Sequence, residues 1–463
     1  MASVYREAAR VYAEVESGRS SLKKAAFASK SPQKCVALVA ETLKRRDALA
    51  YAIKKCKVRA GDQRRDACML MLATYDAVAG KGLPKGGGVL LRAVREKLDA
   101  LKAAYHEKWV EPEPVAEEDL LPRYIRCNPL RGASRESVRA ALRDEYGADD
   151  DFEASVVDDA VVADLLCLPR SWAKRVHGGH DLVISGRVVL QDKASCFSAA
   201  ALFEDVPLEW RGDVLDACAA PGNKTTHAAA LLAGRGAVVA LDRDARRLAL
   251  LRKRVDQAGG AKIVEARLDD FLTVDAASVP NVRAILLDPS CSGSGMVGQG
   301  PERAAAEGEA DAAARLESLA AFQREALGHA LSDFPNVDRV VYSTCSVHDV
   351  ENEDVVSRAL ATHRGEFRVE PCLRGWARRG RAHAGLTAAE SACLVRADAR
   401  EDRTNGFFVA LFVRISATSN KRKAAPDGGD DDDGDAPTAT ARNLRRKLKR
   451  QKAKLRAAPG PSL

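Results

Sequence analysis

Apolar positions along this chain follow two rhythms, and the change comes near residue 120. Before it, residues such as Leu91, Val94, Leu98 and Leu101 recur at three- and four-residue spacing, which predicts a small bundle of helices over residues 1–108. Leu83-Pro-Lys-Gly-Gly-Gly88 interrupts that run; it lacks the Gly-Lys-Ser/Thr ending of a phosphate loop and reads as a connector. Val110-Glu-Pro-Glu-Pro-Val-Ala-Glu-Glu118 is acidic and stiffened by proline, so residues 109–120 are expected to form a linker.

Beyond the linker, short strand-like runs take over. Arg123-Tyr-Ile-Arg126 alternates, Pro129 to Gly132 turns, and Ser134 stands where a helix cap belongs. Asp181 to Leu190 reads as strand material broken by Gly186, so residues 121–199 are expected to be a small α+β unit. Residues 200–416 then alternate strands and helices: 213–216, 237–241, 262–264, 284–287 and 339–342 as strands, with helices at 225–232, 245–255, 312–331 and from about 351. Such repetition predicts an α/β fold with a mainly parallel sheet, helices on both faces, and a closing strand at 407–413.

Composition changes this picture at the termini and little elsewhere. Hydrophobic residues at 46% with charged residues at 30% suit a soluble globular chain, and no run approaches the roughly 18 apolar residues of a membrane helix. The first residues carry no apolar core of a secretion signal, so neither export nor a membrane partner is expected. The eleven cysteines are odd in number and lack C-x-x-C pairs or histidines at ligand spacing, which predicts a reducing compartment, no disulfide framework and no metal. Cys35, Cys68, Cys167, Cys372 and Cys393 read as small buried hydrophobes.

The net charge of +8 is unevenly placed: residues 442–463 hold nine Lys or Arg and no acid, while 417–441 hold three bases and six acids. Residues 417–463 cannot bury a core and are expected to be a disordered tail. Its basic end reads as a nuclear or nucleolar address, as a nonspecific RNA contact, or as solvated charge. In the folded part a nucleic-acid surface must be a local patch, for which Arg123, Arg126, Arg131, Lys174, Arg175 and Lys193 are candidates; solvated surface charge is the alternative.

Chemistry concentrates at three strand ends. Asp216-Ala-Cys-Ala-Ala-Pro-Gly-Asn-Lys-Thr225 places a small-residue turn between a strand and a helix, making Cys218, Ala219, Ala220, Pro221, Gly222, Asn223 and Lys224 candidates for holding a cofactor. Asp242 ends the next strand, where a carboxylate accepts both hydroxyls of a ribose. There is no Gly-x-Gly-x-x-Gly, and Asp216 repels a pyrophosphate, so a ribose-bearing cofactor with an amino-acid tail, S-adenosyl-L-methionine, fits better than a dinucleotide. Asp270 is placed to meet the adenine amino group and Arg247 the ribose edge, although both also read as surface charge. Two further strand ends carry thiols: Cys291 in Leu287-Asp-Pro-Ser-Cys-Ser-Gly293 and Cys345 in Tyr342-Ser-Thr-Cys-Ser346.

With Asn405-Gly-Phe-Phe408, these motifs resemble the Sun-domain RNA cytosine-C5 methyltransferases over residues 120–416, and most of all the branch acting on large-subunit ribosomal RNA. Asn223 departs from the commoner second glycine of the first motif. The resemblance implies a Rossmann-like methyltransferase domain at 200–416 and an RRM-like RNA-binding element within 121–199. It also implies S-adenosyl-L-methionine as cofactor, RNA in pre-ribosomal particles as partner, and work in the nucleus or nucleolus. It assigns Cys345 as the thiolate that adds to cytosine C6, Asp288 as the group holding N3 and the amino group, Lys224 as electrostatic support, and Cys291 as the aid to C5 proton loss and release. A thiol is only a few per cent ionised at pH 7, so nearby positive charge or a helix end is expected to lower the Cys345 pKa. The same reaction on tRNA, a noncatalytic ribosome-assembly factor, and a protein methyltransferase are the alternatives; the last is disfavoured because Asp-Pro-Ser-Cys replaces an Asn-Pro-Pro-Tyr-like motif.

Overall fold

The computed structural model describes residues 2–17, 22–27, 29–59, 64–84, 88–111, 120–147, 150–297 and 309–415. Most of the linker, part of the glycine connector and the charged tail lie outside the described residues. Helices between Ala2 and Lys108 share a core of their own, built on Tyr12, Leu49, Leu72 and Leu101. No described helix is long and apolar enough to cross a membrane.

A four-stranded antiparallel sheet follows, with strands β1 (Arg123–Cys127), β2 (Val157–Asp158), β3 (Leu165–Leu168) and β4 (Val188–Leu190) in the order β2-β3-β1-β4. Against it packs the helix Arg135–Tyr146, whose Ser134 cap accepts the Ser137 N–H while Ser137 returns a bond to the Ser134 N–H. Strand β4 is shorter than the sequence reading gave it. Asp181–Ile184 is instead one helical turn, because the His180 ring accepts the Leu182 N–H and Gly186, at φ +73°, turns the chain back. That glycine is obligatory: a Cβ there lies 1.9 Å from the carbonyl oxygen of Gln257.

The large sheet takes β5 (Asp213–Asp216), β6 (Val238–Asp242), β7 (Val264–Leu268), β8 (Val282–Leu287), β9 (Arg339–Thr344), β10 (Phe367–Glu370), β11 (Val395–Ala397) and β12 (Phe407–Arg414). Its order is β10-β12-β9-β8-β5-β6-β7, with β11 beside β12. Strands β5 to β9 run parallel and β12 pairs antiparallel to β9. Two apolar layers cover its faces, one around Val214, Ala240 and Leu286, the other around Leu215, Leu241 and Ile285, as the two-residue alternation of the strands requires. From β5 the chain winds one way to β6 and β7, then returns to β8 on the other side. That reversal opens a crevice at the carboxyl ends of β5 and β8, where ligands of such sheets bind.

The helix Lys193–Phe203 runs through the expected boundary at 199/200, and its Ala194, Phe197 and Leu202 are buried in a core layer of the large sheet. Tyr124, Val162 and Leu165 of the small unit join that same apolar layer, and buried polar groups lie beside them. Asn128 donates to the carbonyls of Gly186 and Ala258, at 2.8 and 2.9 Å. Arg126, read above as a phosphate contact, is fully buried instead: it donates to Gln191 at 2.9 Å and Thr226 at 3.0 Å, with Asp164 3.9 Å away. Lys193 is held by Asp159 at 2.7 Å, so it too has a partner inside the fold.

Candidate active site

Five strand ends converge on one cavity of about 250 Å³ that opens to solvent. The turn after β5 brings Cys218 and Ala220 to its wall, β6 brings Asp242, the segment after β7 brings Asp270, the loop after β8 brings Asp288 and Cys291, and β9 brings Cys345. Arg247, on the helix Ala245–Gln257, also lines it. Ala219, Pro221, Gly222, Asn223 and Lys224 do not line the cavity. Ala219 donates its N–H to the Leu241 carbonyl, and Asn223 accepts from Arg254 at 2.6 Å, so these positions shape the turn from behind. Gly222 sits at φ +102°, a conformation that favours glycine. Phe271 and Phe322 add apolar wall and Arg243 and Asp269 polar wall; the sequence offered no signal for Phe322, which arrives from a long helix far along the chain.

The polar groups of the wall, of which Asp242 is buried, suit a nucleoside. Asp242 accepts the Ala220 N–H at 3.3 Å and the Asp244 N–H at 2.9 Å, and each of its oxygens keeps acceptor capacity toward the cavity for a ribose diol. Arg247 lies 3.3 Å from Asp242 and donates to the Ala220 carbonyl at 2.7 Å, which fixes that turn. Asp270 faces the cavity while its side chain also caps the Leu272 N–H. Burial pushes the Cys218 thiol up to about 12, which makes it an inert wall, and raises Asp216 to about 7 although Thr225 donates to it at 2.7 Å.

At the far end of the cavity the two thiols meet, Sγ to Sγ at 3.1 Å. The hydrogen bond from Cys291 holds the Cys345 thiol below its ordinary value, against burial and Asp288, with Lys224 acting in the same direction. Cys291 is pushed well up, first by that bond to Cys345 and then by burial. Of the two thiols, Cys345 is the one whose surroundings favour the thiolate. The expected influence of positive charge is present, yet the neighbouring thiol outweighs it. Lys224 keeps its proton: burial opposes this, but Asp288 Oδ2 lies 2.8 Å from its Nζ and raises its pKa. Asp288 Oδ1 accepts from Ser343 at 2.7 Å, a contact the sequence did not suggest. Of the cysteines read as buried, Cys35, Cys68 and Cys372 are so, whereas Cys167 and Cys393 are partly exposed.

A family profile described as 16S rRNA methyltransferase RsmB/F matches residues 206–413. A Mus musculus 28S rRNA (cytosine-C(5))-methyltransferase is 35% identical over 89% of this chain and 91% of its own length. The chain belongs to the RNA cytosine-C5 methyltransferase family. This RNA cytosine-C5 methyltransferase is also 33% identical to the Schizosaccharomyces pombe 25S rRNA (cytosine-C(5))-methyltransferase rcm1, over 88% of this chain and 90% of that one. A solved methyltransferase homologue from Pyrococcus horikoshii, 22% identical, superposes with a TM-score of 0.51 over 80% of this chain and 99% of the other, and so shares its fold. The enzyme acts on RNA, and its cofactor is S-adenosyl-L-methionine.

Proposed function

We propose that this enzyme methylates C5 of a cytosine in large-subunit ribosomal RNA through a transient bond between Cys345 and C6 of the base. One observation carries the reading: the paired thiols at 3.1 Å, beside Asp288 and Lys224. Asp242, Asp270 and Arg247 would hold S-adenosyl-L-methionine, which would supply an electrophilic methyl group.

Cytosine C5 is a weak nucleophile, so a thiolate must first add to C6 and push electron density toward C5. Cys345 is the thiol whose surroundings favour that form. Asp288 accepts a hydrogen bond from the protonated N3 or the amino group of the base, and Lys224 and Ser343 hold its carboxylate in place. Once Cys345 is bonded to carbon it carries no charge. The leading cause of the raised Cys291 value then disappears. Cys291, its own proton passed to solvent through the open cavity, is the group placed to take the C5 proton; the C5–H electron pair re-forms the C5=C6 bond and the C6–sulfur pair returns to Cys345. The target base has to leave its stack to reach these groups, which favours single-stranded or loosely paired RNA.

The antiparallel unit at 121–199 is the proposed RNA-binding element, joined to the catalytic domain through Arg126 and Asn128. The substrates named for the mouse and fission-yeast relatives support large-subunit rRNA over tRNA, and with it a place in the nucleus or nucleolus among pre-ribosomal particles. The intact thiol pair argues against a noncatalytic assembly factor. Incubation with methyl-labelled cofactor and large-subunit rRNA, followed by digestion to nucleosides, is expected to place label in 5-methylcytidine alone. Label in another nucleoside overturns the proposal, and label appearing only with tRNA overturns the ribosomal part.

A further inference from the structure

Both thiols sit on loops, and a loop holds a side chain less firmly than a strand does. Bonded to both loops, and not among the residues that line the cavity, are the short turn Asp349–Glu351 and the residue after it, Asn352. Glu351 is fully buried; its Oε1 accepts the Ser292 N–H at 2.9 Å and the Gln323 amide at 2.9 Å. The same Gln323 nitrogen donates to the Ser290 carbonyl at 3.0 Å. The residues on either side of Cys291 are thus gripped by one carboxylate and one amide. Asn352, also fully buried, does the same for Cys345: its Oδ1 accepts from Thr344 at 2.6 Å and its Nδ2 donates to the Ser346 carbonyl at 2.9 Å.

Glu351 with its partner Gln323 thus holds the backbone at 292 and 290, and Asn352 holds the Thr344 hydroxyl and the Ser346 backbone, on either side of each cysteine. Ser292 and Ser346 close the frame with a 3.2 Å bond between the loops. The turn itself is anchored by Tyr342, which donates to the Glu351 carbonyl at 2.5 Å. Packing alone gives no reason for a carboxylate at 351, since burying a charge is expensive and its Oε2 has no hydrogen-bond partner among the described residues. What the carboxylate does is accept two donors on one oxygen at the place where the Cys291 loop turns.

We propose that Glu351 and Asn352 are positioning residues that set the relative placement of the two thiols, Glu351 with Gln323 acting through Cys291 and Asn352 through Cys345. The inference rests on the roles given to the cysteines above. It divides the reaction cleanly, because a fault at Cys291 stalls release whereas a fault at Cys345 slows addition.

The test uses the full-length protein and large-subunit rRNA. Glu351→Ala is expected to lower turnover at least about tenfold while a denaturation-resistant protein–RNA adduct builds up at least about tenfold over wild type, as in Cys291→Ala. Glu351→Gln keeps the acceptor for Ser292 and Gln323 and is expected to restore turnover to within about threefold of wild type. Asn352→Ala is expected to slow adduct formation about tenfold with no build-up. Gln323→Ala, which frees Ser290 and removes one donor from Glu351 but leaves the Glu351–Ser292 bond, serves if Glu351→Ala fails to fold, and is expected to give the same build-up in weaker form. Adduct and turnover falling together in folded Glu351→Ala, or full turnover in it, overturns the proposal. Should Cys291→Ala trap no RNA, the roles of the thiols are at fault and alkylation of each cysteine by iodoacetamide, followed by peptide mass, decides the bracing alone. A changed rate at Cys291 in Glu351→Ala that Glu351→Gln reverses supports it; unchanged rates at both cysteines overturn it.

Discussion

Replacing Cys291 with alanine is expected to make Cys345 less reactive even in the absence of RNA. The bond between the two thiols, 3.1 Å long, is the largest influence on Cys345 and acts to lower its pKa, as a Cys291 donor to a Cys345 thiolate does. A hydrogen bond to a charged group contributes about 1.5–3 kcal/mol, and a thiol is a weak donor, so about 1 kcal/mol is lost with it. At one decade per 1.36 kcal/mol this reduces the thiolate fraction at a fixed neutral pH about fivefold. Because the native bond lowers the Cys345 pKa, its loss raises it: the deficit is present at neutral pH and closes as pH rises and both proteins become fully ionised. Iodoacetamide alkylation of Cys345, followed by peptide mass spectrometry across pH, measures this without involving release of RNA. Cys291→Ser keeps an O–H donor and is expected to return within about twofold of wild type. An alanine variant that alkylates at Cys345 as fast as wild type at neutral pH refutes the reasoning.

Three other perturbations test the surroundings. Lys224→Met removes the cation 2.8 Å from Asp288 and is expected to slow single-turnover methyl transfer about 10²–10³-fold with little change in cofactor affinity, measured by calorimetry; a loss confined to affinity contradicts this. Asp216 is raised to about 7 by burial, so the native state holds a proton the unfolded chain has lost, and stability falls as pH rises from about 4 to about 7, by a few kcal/mol. Asp216→Asn is expected to flatten that slope in urea melts at pH 5 and 8, and an unchanged slope contradicts it. Arg126→Met strips a buried cation from Gln191, Thr226 and Asp164 and is expected to lower unfolding free energy by about 3 kcal/mol; a change under about 1 kcal/mol in urea titration contradicts the buried role.

Where burial and local signal agree, the chain is legible. Strands β5, β8 and β9 are central, covered on both faces, and show as short apolar runs, Val214–Leu215, Ala284–Leu287 and Val340–Tyr342, shortly before their chemically distinctive residues, Asp216, Asp288 and Cys345. Strand β7 lies at the sheet edge, and only its first residue, Val264, is buried, so its hydrophobic pattern marks the start and misses Glu265 to Leu268; pairing with β6 extends it. Asp181–Ile184 misleads for the opposite reason: three apolar residues look like a strand, but the His180 cap and Gly186 impose a turn. Charge is the least readable property. Arg126 is an arginine among arginines in the sequence, and only the approach of Thr226, a hundred positions away, shows that it faces inward. Glu351, Asn352 and Gln323 escaped for the same cause, since their meaning lies in which backbone atoms they reach, although their closeness to Cys345 in the sequence was a hint for the first two.

The most direct measurement is the mass of the peptide that remains attached to RNA when Cys291→Ala is incubated with S-adenosyl-L-methionine and large-subunit rRNA, then denatured and digested. A nucleotide of cytosine mass carrying one added methyl group on the peptide containing Cys345, and no adduct when Cys345→Ala is added to the same chain, is the expected result. A nucleotide bonded to any other residue, or an adduct that survives Cys345→Ala, contradicts the central claim.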